Sequence, residues 1–264
     1  MEGRLVGKVD RHAATVLDRR EFLRRCWVAG AIIAVTQFDG AEGQVAEGEA
    51  YDATKHFYGM GVDVSKCIGC GRCMIACKTE NGVPPDPHFV RTWVERYVIH
   101  AEGATAVSAI EPGAERGADA ITSERDVLRS FFVPKLCNHC ASAPCVQVCP
   151  VGATYTTQDG VVLVDREYCI GCRYCIQACP YGARFLHPET HTAEKCTFCY
   201  HRVVKGLLPA CVEVCPSGAR IFGDLRMRNS PLQRFTRFNE IQVLKGHLNT
   251  EPKVYYARLD KEVV

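Results

Sequence analysis

The sequence predicts an α+β fold of two pseudo-symmetric units in one compact body, with small antiparallel sheets and short helices. Three observations support this fold class. Sixteen of the 17 cysteines fall into four groups of four, the motif Cys-Pro-x-Gly-Ala occurs three times, and short strand-like runs stand beside the groups. Internal repetition indicates that one small structural unit recurs along the chain. Four similar groups therefore predict two related units.

The composition agrees with a folded chain. Of the 264 residues, 47% are hydrophobic and 23% are charged, which is the ordinary balance of a globular protein. The formal net charge of +2 gives no reason to expect a nucleic-acid partner. The sequence has no phosphate-binding P-loop and no dinucleotide glycine fingerprint. We predict no catalytic residues.

The leader comes first along the chain: residues 1–46 are predicted to be a twin-arginine signal segment. Arg19 and Arg20 precede an apolar stretch of thirteen residues, 26–38. A bilayer-spanning helix needs about 20 apolar residues. An export address is therefore favoured over an anchor, with retention of the segment as a membrane tether as the alternative.

We expect cleavage near residues 40–50, which leaves a mature body at 47–264. Cys26 is expected to be removed with the leader or to be inert. The twin-arginine route carries folded, cofactor-loaded proteins. A thiol-rich chain exported unfolded would cross-link in an oxidising compartment. The leader thus predicts loading in the cytoplasm, the twin-arginine export machinery as a partner, and a periplasmic location at the outer face of the cytoplasmic membrane.

The cysteine groups carry the chemistry of the body. They are Cys67, Cys70, Cys73 and Cys77; Cys137, Cys140, Cys145 and Cys149; Cys169, Cys172, Cys175 and Cys179; and Cys196, Cys199, Cys211 and Cys215. The first and third groups read C-x2-C-x2-C-x3-C, the bacterial spacing for [4Fe–4S] clusters. The fourth cysteine of such a run ligates the other cluster of a pair. Sixteen thiolates therefore predict four [4Fe–4S] clusters in two pairs.

Structural zinc and structural disulfides are the alternative interpretations. Zinc sites with four cysteines also use C-x2-C pairs, and even cysteine counts in exported chains often indicate bridges. Three cysteines at double x2 spacing, followed by x3-C-P, are hard to wrap around one tetrahedral ion. Dense C-x2-C neighbours would also make a poor disulfide scaffold. The spacing therefore favours iron–sulfur clusters over both zinc sites and disulfides.

Short strands are predicted around the groups, with a helical turn starting near the end of each group. The predicted strands are 62–64, 154–157, 161–164, 184–186 and 220–222. Asp159-Gly160 between two of these runs is a hairpin signal. Group one lacks the Cys-Pro-x-Gly-Ala exit and has Lys78-Thr79-Glu80-Asn81 instead, so its exit must differ.

Two further segments complete the body. The insertion 78–136 separates groups one and two, and the tail 224–264 is expected to pack on the body or on a partner. The predicted elements in them are a strand at 89–100, a surface loop at 101–124, a helix at about 231–245 and a strand at 253–259.

Ten basic residues stand close to the cysteines: Lys66, Arg72, Lys78, Lys135, Arg173, Arg184, Lys195, Arg202, Lys205 and Arg220. Compensation of cluster charge is one interpretation, and a solvated surface is the favoured alternative for any single residue. His139, between two cysteines, is interpreted as a loop residue rather than a hydrogen-bond donor to cluster sulfur.

The motifs resemble one known family. Cys196-Thr-Phe-Cys199, then Gly206-Leu-Leu-Pro-Ala-Cys211, with Cys215-Pro216 and the other three groups, look like the iron–sulfur subunits of membrane-associated molybdopterin oxidoreductases. Dimethyl sulfoxide, polysulfide and tetrathionate reductases are examples of that family. The resemblance covers residues 58–223. It implies two ferredoxin-like units, one from 67–77 with 196–215 and one from 137–149 with 169–179.

The resemblance also implies the ligand sets. Cluster 1 takes Cys67, Cys70, Cys73 and Cys215; cluster 2 takes Cys196, Cys199, Cys211 and Cys77; cluster 3 takes Cys137, Cys140, Cys145 and Cys179; and cluster 4 takes Cys169, Cys172, Cys175 and Cys149. Some family members lack one group-two cysteine and hold a [3Fe–4S] cluster. This chain has all four, so four cubanes are expected.

The implied role is electron transfer without catalysis, since the redox chemistry belongs to the cofactor. We expect a catalytic subunit, of the molybdopterin class by this resemblance, and a quinone-reactive membrane subunit as partners in anaerobic respiration. A free periplasmic polyferredoxin shuttle and the iron–sulfur subunit of a sulfate-reduction-associated membrane complex are the alternatives.

Overall fold

The computed structural model describes residues 51–110 and 126–263. The predicted leader, Cys26 and the boundary between 46 and 47 lie outside the described residues, as does most of the predicted loop 101–124. The described residues form 11 strands and six helices. The strands are β1 (Tyr58–Asp63), β2 (Thr92–His100), β3 (Thr105–Ala109), β4 (Val127–Leu136), β5 (Thr154–Thr156), β6 (Val162–Val164), β7 (Arg184–Leu186), β8 (Ala193–Lys195), β9 (Arg220–Asp224), β10 (Ile241–Gln242) and β11 (Val254–Ala257). The helices are α1 (Arg72–Asn81), α2 (Pro144–Gln147), α3 (Tyr174–Gln177), α4 (Tyr200–Val203), α5 (Ala210–Glu213) and α6 (Pro231–Phe238).

The α+β fold class is confirmed, with small sheets and short helices. Two of the sheets are two-stranded hairpins, β5–β6 and β7–β8. The hairpin predicted across Asp159-Gly160 is the first of them, with Thr154 opposite Val164. Gly160 has φ +80°, a left-handed conformation that glycine adopts without steric penalty.

A four-stranded sheet with the order β10-β11-β1-β9 brings together the two ends of the described chain. Strand β1 is buried along its whole length and pairs antiparallel with β9. Its other neighbour, β11, is parallel to it. The sequence predicted antiparallel sheets throughout, and this pair differs because the tail crosses back over the body before it joins the sheet.

The insertion forms a three-stranded sheet with the order β3-β2-β4. Strand β2 begins at Thr92, three residues after the predicted start. The prediction of a loop from 101 was wrong for its first part, because Thr105–Ala109 pairs with β2 in the register Val98 to Ala106. Alanine has little strand preference of its own, so pairing with a neighbour decides its conformation.

The tail packs a helix on the four-stranded sheet. Ser230 caps α6, since its Oγ accepts a hydrogen bond from the Gln233 N–H at 3.1 Å, and Pro231 occupies the first helical turn. Helix α6 ends at Phe238, seven residues before the predicted end. Leu232 on α6 is fully buried, and a Cβ at Gly61 of β1 would meet the Phe235 ring at 2.6 Å. The glycine therefore permits close packing of helix on sheet.

One buried core lies between the four-stranded sheet and the insertion sheet. Met60 and Tyr256 from the former pack in the same cluster as Val94 and Val133 from the latter. Cysteines of all four groups border this core or a smaller one beside it. None of the helices in the described segments is long and apolar enough to cross a membrane.

Candidate iron–sulfur centres

Two cavities are each lined by three cysteines of one group and one cysteine of another. In the first cavity Cys215 joins three cysteines of group one, and in the second Cys179 joins three cysteines of group two. The complete cysteine linings are Cys67, Cys70, Cys73 and Cys215 for the first and Cys137, Cys140, Cys145 and Cys179 for the second. These are the sets expected for clusters 1 and 3.

A third set gathers around Cys77. The Asn81 Nδ2 atom lies 3.7 Å from the Cys77 Sγ and 3.6 Å from the Cys199 Sγ. Burial, followed by the charges of Cys211 and Cys199, raises the pKa of Cys77 to about 12. Cys196 is close as well, because burial and then Cys77 and Cys211 raise its pKa well above the ordinary value. The structure therefore brings together the set expected for cluster 2.

For cluster 4 the structure shows packing between the two helices that lie beside its expected ligands. Helix α2 packs against α3. Cys149 follows α2 by two residues, and Cys175 lies on α3. Cys175 is buried, Cys169 packs beside the same small core, and Cys172 is exposed.

Burial of the thiols makes their ionisation difficult without a cation. Burial is the largest cause that raises the pKa of Cys67, Cys140 and Cys211, each to about 11. A buried thiolate is unfavourable unless a positive charge compensates it. Metal binding supplies that charge and displaces the proton. These thiols are therefore suited to iron.

The Cys-Pro-x-Gly-Ala motif has a local physical role. Burial raises the pKa of Cys149 and of Cys215, but backbone hydrogen bonds outweigh it and the pKa of each thiol is lowered. The donors for Cys149 include the N–H of Thr154, 3.5 Å from the Sγ, and those for Cys215 include the N–H of Arg220. The turn after each cysteine aims backbone N–H groups at the thiolate, which stabilises its negative charge.

Group one uses a side chain where groups two and four use this turn. Its helix, α1, continues to Asn81, whose amide contacts Cys77 and Cys199. Arg91 Nη1 donates to the Asn81 Oδ1 at 2.9 Å, and Arg91 Nη2 pairs with buried Glu194. The sequence predicted a different exit for group one but indicated no role for Asn81 or Arg91.

Buried basic side chains surround the cavities. Arg184, Lys195 and Arg220 are each at most 5% exposed, so the solvated-surface interpretation was wrong for these three. Arg184 Nη2 lies 3.0 Å from the Cys145 Sγ. Lys253, which no sequence pattern singled out, is 2% exposed. Lys66, Arg72, Arg173 and Lys205, in contrast, are exposed.

His139 and Phe198 are equivalent residues of two different groups, since each immediately precedes a cysteine in a C-x2-C pair. Both are fully buried, and their rings stack with centroids 3.7 Å apart. His139 Nδ1 accepts a hydrogen bond from the Val162 N–H at 3.1 Å. The histidine is thus a packed residue at the contact of groups two and four, and comparison of the first C-x2-C pair in each group could have identified it.

The donor set fits iron–sulfur clusters. Each of the two cavities presents four cysteines and a buried arginine, a combination that matches a polynuclear anion held by thiolates. Within 51–110 and 126–263, no three His, Cys, Asp or Glu side chains have the arrangement of a site for a single metal ion.

Comparison with known proteins identifies the family. Two family models described as "4Fe-4S dicluster domain" match residues 66–153 and 128–225. Together they span all four cysteine groups. The chain is 39% identical over 249 residues to a tetrathionate reductase subunit of Salmonella typhimurium, and the match covers 94% of this chain and 90% of that relative.

Two other relatives extend the comparison. A putative dimethyl sulfoxide reductase iron-sulfur subunit of Halobacterium salinarum is 40% identical, over 75% of this chain and 78% of its own. The Hdr-like menaquinol oxidoreductase iron-sulfur subunit 1 of Archaeoglobus fulgidus is 32% identical, over 94% of this chain and all of its own. The chain belongs to the family of ferredoxin-like [4Fe–4S] subunits of molybdopterin oxidoreductases, which transfer electrons and are not the catalytic subunits.

Proposed function

We propose that this subunit holds four [4Fe–4S] clusters and relays electrons between a quinone-reactive membrane subunit and a catalytic molybdopterin subunit of an anaerobic respiratory complex. The observation that carries the proposal is the convergence of distant cysteine groups: Cys215 lines the cavity of group one, and Cys179 that of group two. This exchange of the fourth ligand is the arrangement of a paired-cluster protein. The four ligand sets are those given above.

The chain's own residues hold, space and shield the cofactors, and the bound clusters supply reversible one-electron transfer. Turns that follow Cys149 and Cys215 direct N–H groups at thiolates. Asn81 does so for Cys77 and Cys199 with its side chain. The stack of His139 on Phe198 fixes the contact between groups two and four. These features suit a relay with fixed distances between its members.

The exposed cysteines support two partner surfaces. Cys70 and Cys172 are exposed, whereas the other fourteen proposed ligands are buried or half-buried. Cys70 belongs to the cluster 1 set and Cys172 to the cluster 4 set. Apolar side chains stand beside them, since Ile68 is 49% and Ile170 is 65% exposed. We assign these two surfaces to the catalytic and the membrane partners, because electrons must enter and leave where a cofactor is near the surface.

The proposed location is the periplasmic side of the cytoplasmic membrane, after export by the twin-arginine route. Arg19 and Arg20 before an apolar stretch support this assignment. The sixteen thiols support it too, because a chain of this kind must be loaded before it enters an oxidising compartment.

A menaquinol-linked complex of another kind is the second candidate. The Archaeoglobus fulgidus relative, whose name refers to menaquinol oxidation, is matched over its full length. In such a complex this subunit would still exchange electrons with a quinone-reactive subunit, but its other partner would differ from a molybdopterin subunit. A free shuttle, the remaining alternative, would bind neither membrane subunit nor catalytic subunit.

Isolation from membranes in mild detergent tests the proposal. We expect a brown protein with about sixteen irons per chain, since each of four clusters holds about four, and co-purification of a large catalytic subunit and a membrane subunit. An iron content below about a dozen per chain contradicts the four clusters. A soluble monomer with full iron content contradicts the complex and favours the shuttle.

The Cys215→Ser variant tests the proposed pairing. Cys215 lines the cavity of group one, so the variant should lose the same electron paramagnetic resonance (EPR) signal as Cys67→Ser. Cys196→Ser should lose a different signal. Ser130→Ala, at an exposed serine of β4 away from the cysteine groups, serves as the control and should keep all the iron. If Cys215→Ser and Cys196→Ser lost the same signal, the assignment of Cys215 to cluster 1 would be wrong.

A further inference from the structure

One position of the internal repeat carries different residues in different copies. It lies five residues after the cysteine of each Cys-Pro-x-Gly-Ala motif and is occupied by Thr154, Arg184 and Arg220. All three side chains are buried. Because the backbone of the motif is the same in each copy, the three side chains start from equivalent places beside a ligand cysteine. Two copies therefore place a cation where the third places a neutral hydroxyl.

Each arginine lines the cavity of the cluster that takes the cysteine five residues before it. Arg184 lines the cavity of cluster 3 together with Cys179, and Arg220 lines that of cluster 1 together with Cys215. Arg184 Nη2 is 3.0 Å from the Cys145 Sγ. Among the described residues the oxygen partners of both arginines are hydroxyls rather than carboxylates: Arg184 Nη1 donates to the Thr154 Oγ1 and Arg220 Nη2 to the Thr92 Oγ1.

Each of the two guanidinium groups has a buried N–H group that is still free to donate a hydrogen bond. Arg184 Nε and Arg220 Nη1 are buried and have no hydrogen-bond partner in the described part of the chain. A buried donor without a partner is unfavourable, and an arginine remains charged in proteins. The remaining source of compensation at these places is the negative charge of the thiolate set and its cluster.

We propose that Arg184 and Arg220 tune reduction potentials: each raises the potential of the cluster whose cavity it lines, relative to the other cluster of the same ferredoxin-like unit. The proposal rests on the four ligand sets of the proposed function. Reduction adds one negative charge to a cluster, and a fixed cation in a region of low dielectric stabilises that charge. Cluster 4 has the neutral Thr154 at this position of the repeat. Arg220 also acts on Cys77 and Cys211 of cluster 2, but it lines the cavity of cluster 1, so the contrast within a unit is clearer for Arg184.

Arg184 gives the sharper test because it contacts a single proposed ligand directly. The variants Arg184→Gln and Arg184→Met remove the charge, and Arg184→Lys keeps it. Arg173→Gln removes an exposed arginine between two ligand cysteines and is the matched control for surface charge. The measurement is a redox titration of the complete protein, followed by EPR, with iron content determined for every preparation.

We expect one of the four midpoints to fall in Arg184→Gln and Arg184→Met and the other three to stay. The reduced-to-oxidised ratio of that cluster at a fixed potential should fall at least about tenfold, which is about 59 mV for one electron. Arg184→Lys should keep most of the wild-type midpoint. Arg173→Gln should shift every midpoint by less than Arg184→Gln does, because solvent screens an exposed charge.

Equal midpoints in the wild type and the neutral variants, at full iron content, would overturn the proposal, and so would equal midpoints in Arg184→Lys and Arg184→Gln. Loss of iron from both neutral variants with retention in Arg184→Lys would also overturn it, because the charge would then hold the cluster rather than tune it. A wild-type chain with fewer than about a dozen irons would instead refute the proposed function.

Discussion

The residue before the second cysteine has a left-handed backbone in all four groups. The φ values are +66° for Gly69, +44° for His139, +68° for Gly171 and +54° for Phe198. Such values cost an L-residue roughly 1–2 kcal/mol. Two groups avoid the cost with glycine. The other two accept it with aromatic side chains, which stack on each other in the interior.

Gly171 is required for space as well as for conformation. A Cβ at this position would lie 2.4 Å from the backbone oxygen of His191, whereas a Cβ at Gly182 would meet nothing within 4 Å. Gly182 has a similar φ of +63°, so Gly182→Ala measures the conformational cost alone, roughly 1–2 kcal/mol. We expect that variant to lower the apparent Tm by a few degrees.

Gly171→Ala should lower the apparent Tm much further, since the backbone around His191 must move, and it should release iron at lower temperature. Loss of cluster absorbance during heating, at one scan rate for both variants, measures the difference. Equal losses of cluster absorbance in Gly171→Ala and Gly182→Ala would show that the close approach of Gly171 to His191 does not affect stability.

Gly69 and Gly171 stand at equivalent places in the first and third groups, which share one spacing. The sequence did not reveal the equivalence of His139 and Phe198, since a positive φ is uncommon for residues other than glycine. The buried arginines were likewise weighed as surface residues. Their burial depends on cavities formed by groups far apart in sequence, which no local pattern describes.

At the scale of elements, the tail is joined to the group-two loop as well as to the sheet. The Ala141 N–H donates to the Glu251 carbonyl at 2.9 Å, and the Lys253 N–H donates to the Asn138 carbonyl at 2.9 Å. Strand β11 then continues beside β1. The tail thus holds the group-two loop against the sheet whose strand β1 precedes group one. The sequence predicted the strand but not its partners.

Tyr256 on β11 should be the most sensitive residue of this connection. Its side chain is fully buried, and its Oη donates to the Pro134 carbonyl at 3.1 Å. Truncation of a large buried aromatic side chain costs about 3–5 kcal/mol, which corresponds to a fall of roughly 10 °C in apparent Tm for a body of this size. We expect Tyr256→Ala to show this fall in circular dichroism.

The neighbouring Tyr255→Ala is the control for Tyr256. Tyr255 is half-buried, and because side chains alternate along a strand, it projects from the opposite face of β11. It should lose clearly less stability. If both variants melted at the same temperature, the core contact of β11 would not be what holds the tail.

At the scale of the whole molecule, two related units share one body, and their relation was predictable from cysteine spacing. Spacing predicted that groups exchange their fourth ligand, but which groups exchange followed only from the family resemblance. In the structure the first cavity contains Cys215 and the second contains Cys179. The insertion sheet and the parallel pair of β1 with β11 were not predicted. Both depend on pairings between segments distant in sequence, whose energies come from neighbouring strands rather than from local propensity.

Export of the loaded protein is the prediction that belongs to the whole chain. Folding brings the cysteines together in pairs of groups, so the clusters must be inserted where iron and reduced thiols are available, before the chain meets an oxidising compartment. We propose that the twin-arginine route carries the folded, loaded body and that Arg19 and Arg20 are its signal. We expect the double variant Arg19→Lys with Arg20→Lys to accumulate in the cytoplasm with its full iron content. The control is Arg25→Lys, which makes the same chemical change outside the pair and should be exported like the wild type. Cell fractionation followed by iron analysis of each fraction measures both. Normal export of the double variant would refute the leader assignment, and cytoplasmic accumulation without iron would show that loading, rather than export, had failed.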